Sequence, residues 1–102
     1  MRRDVDLLRD LMLALEPIER SPPEPVFLEL DEMARTLGRS SETIGEHLNH
    51  LLVQGFIDGP GVYFDDWLFR KLTPKGHALA DNIRDARHWS DIKRTYSFAI
   101  EQ

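Results

Sequence analysis

Cysteine is absent from these 102 residues, which removes a disulfide framework, a thiolate-ligated zinc and a thiol nucleophile in one stroke. Long apolar runs are missing as well. The start of the chain, MRRDVDLLRDLMLALE, carries basic residues, but Asp4, Asp6, Arg9 and Asp10 interrupt its apolar stretch within a few positions. It therefore fits neither a signal peptide nor a membrane span, and a cytoplasmic protein is the expectation. Repeats and low-complexity tracts are lacking apart from one short proline cluster. No Gly-rich phosphate loop, no His-Glu-x-x-His and no nucleophile motif occurs, so no enzyme and no cofactor is expected.

Positive charge is scarce where it would matter for a nucleic acid. The net charge is −5. Residues 1–66 hold 6 Lys/Arg against 14 Asp/Glu, whereas residues 67–102 hold 7 against 4. Phosphate neutralisation supplies most of the affinity of a DNA-binding domain, so only the C-terminal third offers a basic surface. The apolar fraction of 41% is that of an ordinary globular chain, and the length suits one domain with one core.

What is present reads as helices around a small strand region. Asp4 is a good N-cap for a first helix over about 4–16, which ends before Pro17. Val5, Leu8, Leu11, Met12 and Leu15 recur at helical spacing, and Leu7, Leu13 and Ala14 widen the apolar surface. A surface that broad is either buried in its own chain or shared with a second copy, so a homodimer through this helix or the last one stays open. A proline-rich linker covers about 17–25, including Ser21-Pro22-Pro23-Glu24-Pro25. Val26-Phe27-Leu28 can add an edge strand.

A helix-turn-helix is expected over about 31–54. Asp31 should cap its first helix, with Met33, Ala34 and Leu37 inward and Gly38 at the end. Ser40 or Ser41 should cap the next, with Ile44, Leu48, Leu51 and Leu52 on the core face and Gly55 as the stop. A wing follows over about 56–72, broken by Gly59-Pro60-Gly61. Its return strand, Trp67 to Leu72, should turn Leu68, Arg70 and Leu72 to one face and Trp67, Phe69 and Lys71 to the other. Thr73 and Pro74 open C-terminal helices over about 74–100. Leu79, Ile83 and Ala86 face inward, Trp89 is an anchor, and Ile92, Tyr96, Ala99 and Ile100 are apolar points further on. The order predicts a mainly α chain with a small β-wing (α+β): a winged helix-turn-helix with an additional C-terminal helix.

Several of these segments together resemble one family. They are the opening Met1-Arg2-Arg3-Asp4-Val5-Asp6-Leu7-Leu8-Arg9, the strand start Gly55-Phe56-Ile57, and Arg70-Lys71-Leu72-Thr73-x-x-Gly76-His77. Asp81-x-Ile83-Arg84-Asp85 and Trp89 complete the set. The chain resembles a winged-helix family of small proteins, frequent in prophages and mobile elements and catalogued as a domain of unknown function. The resemblance spans nearly the whole chain. It departs in the wing, which is short, and in the Ser21–Pro25 linker. It implies the fold and a phage-like setting, and it carries no catalytic residues.

Two functions follow from the third helix. Opposite its core face it should display Glu42, Thr43, Glu46, Asn49, His50 and Val53. The leading expectation is a DNA-associated transcriptional regulator that holds double-stranded DNA through Arg39, Ser41, Thr43, Asn49 and His50, with Arg70, Lys71 and Lys75 from the wing region. The alternative is an acidic protein-interaction module, using Glu42, Glu46 and Val53 against a basic surface of a host protein, such as a phage inhibitor of a defence complex. His47 and His50 lie one helical turn apart beside Glu46, but no third ligand is spaced to join them, so no metal site is assigned. His77 and Asp81 are read as an ion pair fixing the fourth helix to the first rather than as an acid–base pair. Tyr63, Phe64, Trp67 and Trp89 do not make a base-stacking platform, because Asp65 and Asp66 interrupt them. Core packing accounts for most of them, with Tyr63 or Phe64 left at the wing tip.

Overall fold

A computed structural model describes the backbone of residues 4–101 and the side chains of residues 4–93. The expectations for Arg2, Arg3, Tyr96, Ala99 and Ile100 lie outside the described side chains. Among the described residues the order is α1 (Val5–Leu15), a 3-10 turn (Glu16–Ile18), β1 (Val26–Leu28), α2 (Leu30–Leu37), α3 (Ser41–Val53), β2 (Ile57–Asp58), β3 (Gly61–Tyr63), β4 (Asp66–Phe69), β5 (Lys71–Leu72), α4 (Pro74–Ile83) and α5 (Ala86–Glu101). None of these helices is long and apolar enough to cross a membrane.

The caps set most of the boundaries. Asp4 accepts a hydrogen bond from the Leu7 backbone N–H at 3.1 Å and starts α1. Ser40, rather than Ser41, caps α3 by accepting from the Thr43 N–H at 3.1 Å. Thr73 caps α4 and accepts from the Gly76 N–H at 3.0 Å, with Pro74 at the first helical position. The exception is α2. Its cap position is Glu29, which makes no side-chain cap bond, and the helix begins one residue before the expected Asp31. The Asp31 carboxylate instead accepts from the Ser41 hydroxyl at 2.5 Å and ties the start of α2 to the start of α3.

Most of the apolar face of α1 is buried inside its own chain. Leu7, Leu11, Met12 and Leu15 are fully enclosed, packed in one core with Ile44, Leu48 and Leu51 of α3, Leu79 and Ile83 of α4, and Trp67, Phe69 and Leu72 of the strands. Leu7 is thus taken up by intramolecular packing, whereas Leu13 is half-buried and Ala14 exposed. Ala86, expected on the inward face of α4, is exposed and begins α5.

Five short strands make two sheets. The first has the order β1-β4-β3, all antiparallel, and the second pairs β2 with β5. Trp67 lies opposite Leu28 on one side and Val62 on the other. The continuous return strand expected from Trp67 to Leu72 is instead broken at Arg70, where the chain leaves the first sheet and joins the second. The Arg70 N–H donates to the Asp58 carbonyl at 3.0 Å across this step. One residue is thereby spent between the two registers, so Trp67, Phe69 and Leu72 all reach the core. This corrects the expectation that Leu72 shares a face with Arg70 while Trp67 and Phe69 occupy the other. Gly59 makes the step possible, since a Cβ there would lie 2.9 Å from the Arg70 nitrogen.

Candidate interaction face on α3 and the hairpin

The outward stripe of α3 is Glu42, Glu46, Asn49 and Val53, all exposed. The helix contains no Lys or Arg. The β3–β4 hairpin runs alongside it and is held at two points. A Cβ on Gly61 would lie within 2.9 Å of Leu52, so strand and helix are in close contact there. The buried Trp67 indole donates to the Asn49 side-chain oxygen at 2.8 Å. Near the hairpin turn, Asp65 and Asp66 line a cleft of about 250 Å³ with Glu29, Asp31 and Ser41. Helix stripe and hairpin therefore form one surface, acidic at the end where α3 begins and apolar at Val53.

The residues expected to hold DNA are mostly engaged elsewhere. Arg39 is drawn back to α1, where its guanidinium meets the Asp4 carboxylate at 2.8 Å. Burial pushes the Asp4 carboxyl up, but the Leu7 N–H and the Arg39 charge outweigh it and hold it below its ordinary value. Arg70 is bonded to Asp58, whose carboxyl it holds below the usual range. Lys71 stands opposite Asp58 in the β2–β5 pair. Lys75 donates to the Gln54 carbonyl at 2.7 Å and lies 4.4 Å from the centre of the Phe56 ring. Ser41 is bonded to Asp31, and Thr43 shares a side-chain bond with Ser40.

His50 is a correction. It was expected on the outward face and is only 8% exposed, because the helix turns it toward the core beside Leu51. His47 is buried too. Its Nε2 accepts from the Asp4 backbone N–H at 3.0 Å, which puts the ring proton on Nδ1, donating to the Thr43 carbonyl at 2.8 Å. The two rings are parts of the core, and among the described residues no group of three or more His, Asp or Glu could hold a metal. Of the expected base readers only Asn49 is outward, and its oxygen already serves Trp67.

His77 is another correction. Its ring meets Glu19 at 3.1 Å and Glu16 at 3.7 Å, while Asp81 pairs with Arg84 at 3.1 Å. The tie between α1 and α4 is made by Arg9, which donates to the Ile83 carbonyl at 2.8 Å, together with Arg84 and His77 on Glu16 just past the end of α1, so His77 serves the tie through Glu16 and not through Asp81. Trp89 donates to Asp6 at 2.8 Å, and its ring lies 5.5 Å from the Arg9 guanidinium.

Exposed apolar side chains lie on both sides of the hairpin sheet, since Val62 stands opposite Trp67 and Phe27 opposite Leu68. Phe27, Val62 and Tyr63 are more than half exposed, and Phe64 is 83% exposed. The signal was there to read: Phe64-Asp65 is the whole loop of a two-residue hairpin, a place where turn chemistry asks for Gly, Asn or Asp.

No curated protein and no solved structure matches the chain. One family does, described as Hypothetical protein (DUF2513), over residues 2–99. The chain belongs to that family.

Proposed function

We propose that the chain is a winged helix-turn-helix whose third helix and wing bind a protein with a basic surface, in a phage or mobile-element setting. The architecture supports the first half of this reading. A helix, an edge strand, two helices and a hairpin follow in that order, and the sheet order β1-β4-β3 has the early strand against the returning arm of the hairpin. In this fold α3 would be the recognition element.

The observation that carries the second half is the exposed stripe Glu42, Glu46 and Val53 on a helix without Lys or Arg. Phosphate contact there would bring like charges together, and Arg39, Arg70 and Lys75 would first have to leave a carboxylate or a carbonyl. A partner rich in Lys and Arg meets none of these obstacles, and complementary charge would speed its approach.

The test is fluorescence anisotropy with random duplex DNA at low and at physiological salt, for wild type and for Glu42→Lys with Glu46→Lys. Wild type should not bind even at low salt, and the double variant should gain weak, salt-sensitive binding. Wild-type binding that falls steeply with salt, and falls further in Arg70→Ala with Lys71→Ala, would overturn the proposal in favour of the DNA-associated regulator.

A further inference from the structure

Phe64 sits in the left-handed region, with φ +56°. A bulky L side chain in that conformation presses on its own backbone. Glycine would remove the strain. The side chain is also mostly in water, and its ring packs edge-on against Tyr63, itself exposed, at 4.7 Å and 87°. A strained backbone and an exposed ring are two separate penalties at one position, and burial within the chain does not offset either. Strain of this kind gathers at contact sites, where the surrounding structure holds a group ready for its ligand.

The surroundings indicate the ligand. Val62 adds exposed apolar surface on one side of the same hairpin and Tyr63 on the other. Asp65 and Asp66 follow directly and face Glu29 and Asp31 across the cleft. We propose that Phe64 is the anchor of a protein interface, seated in an apolar pocket of the partner whose rim carries Lys or Arg. This rests on the protein-binding reading above and assigns its central contact. A second copy of the chain is a poor host. An apolar groove among its described residues, between α1 and α2 at Ala14, Met33 and Leu37, is flanked by Glu29 and Glu32, which would repel Asp65 and Asp66. Aromatic anchors in pockets carry most of the affinity of such interfaces, and charged rims set specificity.

The experiment pans a phage-displayed library of random peptides against the wild-type chain. The enriched peptides then serve as probes in fluorescence polarisation. They should combine a large apolar residue with Lys or Arg. Their affinity should fall at least about tenfold for Phe64→Gly and for Phe64→Asn, which equals about 1.4 kcal/mol. Both variants should melt at or above the wild-type temperature, since both residues tolerate the backbone there. Unchanged affinity in both, with loss in Glu42→Lys/Glu46→Lys, would overturn the anchor and leave the protein-binding reading standing. Enrichment of acidic sequences, or of none, would overturn both.

Discussion

Gly76 should be irreplaceable, although it lies in the first turns of a helix where alanine is normally preferred. An ideal Cβ at this position would fall inside the contact distance of the Phe56 carbonyl oxygen, 2.9 Å from the Phe56 carbonyl carbon and 3.3 Å from Leu72 Cβ. The obstacle is backbone, so it cannot swing aside as a side-chain tip would. That carbonyl also accepts from the Thr73 N–H at 3.1 Å, and Thr73 is the cap of α4. Gly76→Ala therefore has to lift α4 off the strand start. Overpacking against a rigid neighbour costs about 3 kcal/mol, the upper end of its usual range. Loss of the Thr73 hydrogen bond costs about 1 kcal/mol. Alanine returns about 1 kcal/mol of helix propensity. The net is a destabilisation of about 3 kcal/mol, or a melting temperature lower by roughly 12–24 °C for a chain of this size. Thermal unfolding followed by circular dichroism measures it. Gly45→Ala is the control. It lies mid-helix in α3, its Cβ would meet only Leu30 Cδ1 at an ordinary 3.7 Å, and it should gain up to about 1 kcal/mol. A Gly76→Ala protein melting within a few degrees of wild type, or a Gly45→Ala protein that loses as much, would refute the reasoning.

Asn49→Ala should cost about 1–3 kcal/mol, because it strands the buried Trp67 indole N–H, whereas Asn49→Asp keeps an acceptor and most of the stability. An unchanged unfolding midpoint in urea for Asn49→Ala would show that the bond is not structural. Acid should also destabilise the fold. Asp4, Asp6, Glu16 and Asp58 are all held below their ordinary values, Asp6 by Trp89 and Lys93, and Glu16 chiefly by Arg84. For such groups the stabilisation is complete above the unfolded-state value near pH 4 and is lost as pH falls through the lower folded-state value. The melting temperature should therefore fall steadily below about pH 4, less steeply in Asp4→Asn. A melting temperature constant from pH 5 to pH 3 would contradict this.

The elements were legible because local chemistry decides them. Asp4, Ser40 and Thr73 cap helices through hydrogen bonds to residues three positions away, and Gly38 and Gly55 end them with positive φ. Where the reading went wrong, a distant partner had intervened. Asp31 gave up its cap for Ser41. The period-2 pattern from Trp67 to Leu72 slipped at Arg70 because two sheets, not one, claim that segment.

The candidate face divides in the same way. Its acidity and the outward positions of Glu42, Glu46 and Val53 follow from composition and helical period alone. That Arg39, Arg70 and Lys75 are turned to Asp4, Asp58 and Gln54 depends on long-range pairing, which no spacing rule announces. His50 is the sharpest case, since it lies within one helical turn of both the buried Leu51 and the exposed Val53. Period alone leaves such a boundary residue undecided, and the packing of α1 and the strands against α3 settles it. By itself the sequence determined where most helices lie, the caps of α1, α3 and α4 and the sign of the surface, because these rest on neighbours in the chain. The tertiary structure alone decided which charges remain available and which histidines are buried, because those rest on residues brought together from far apart.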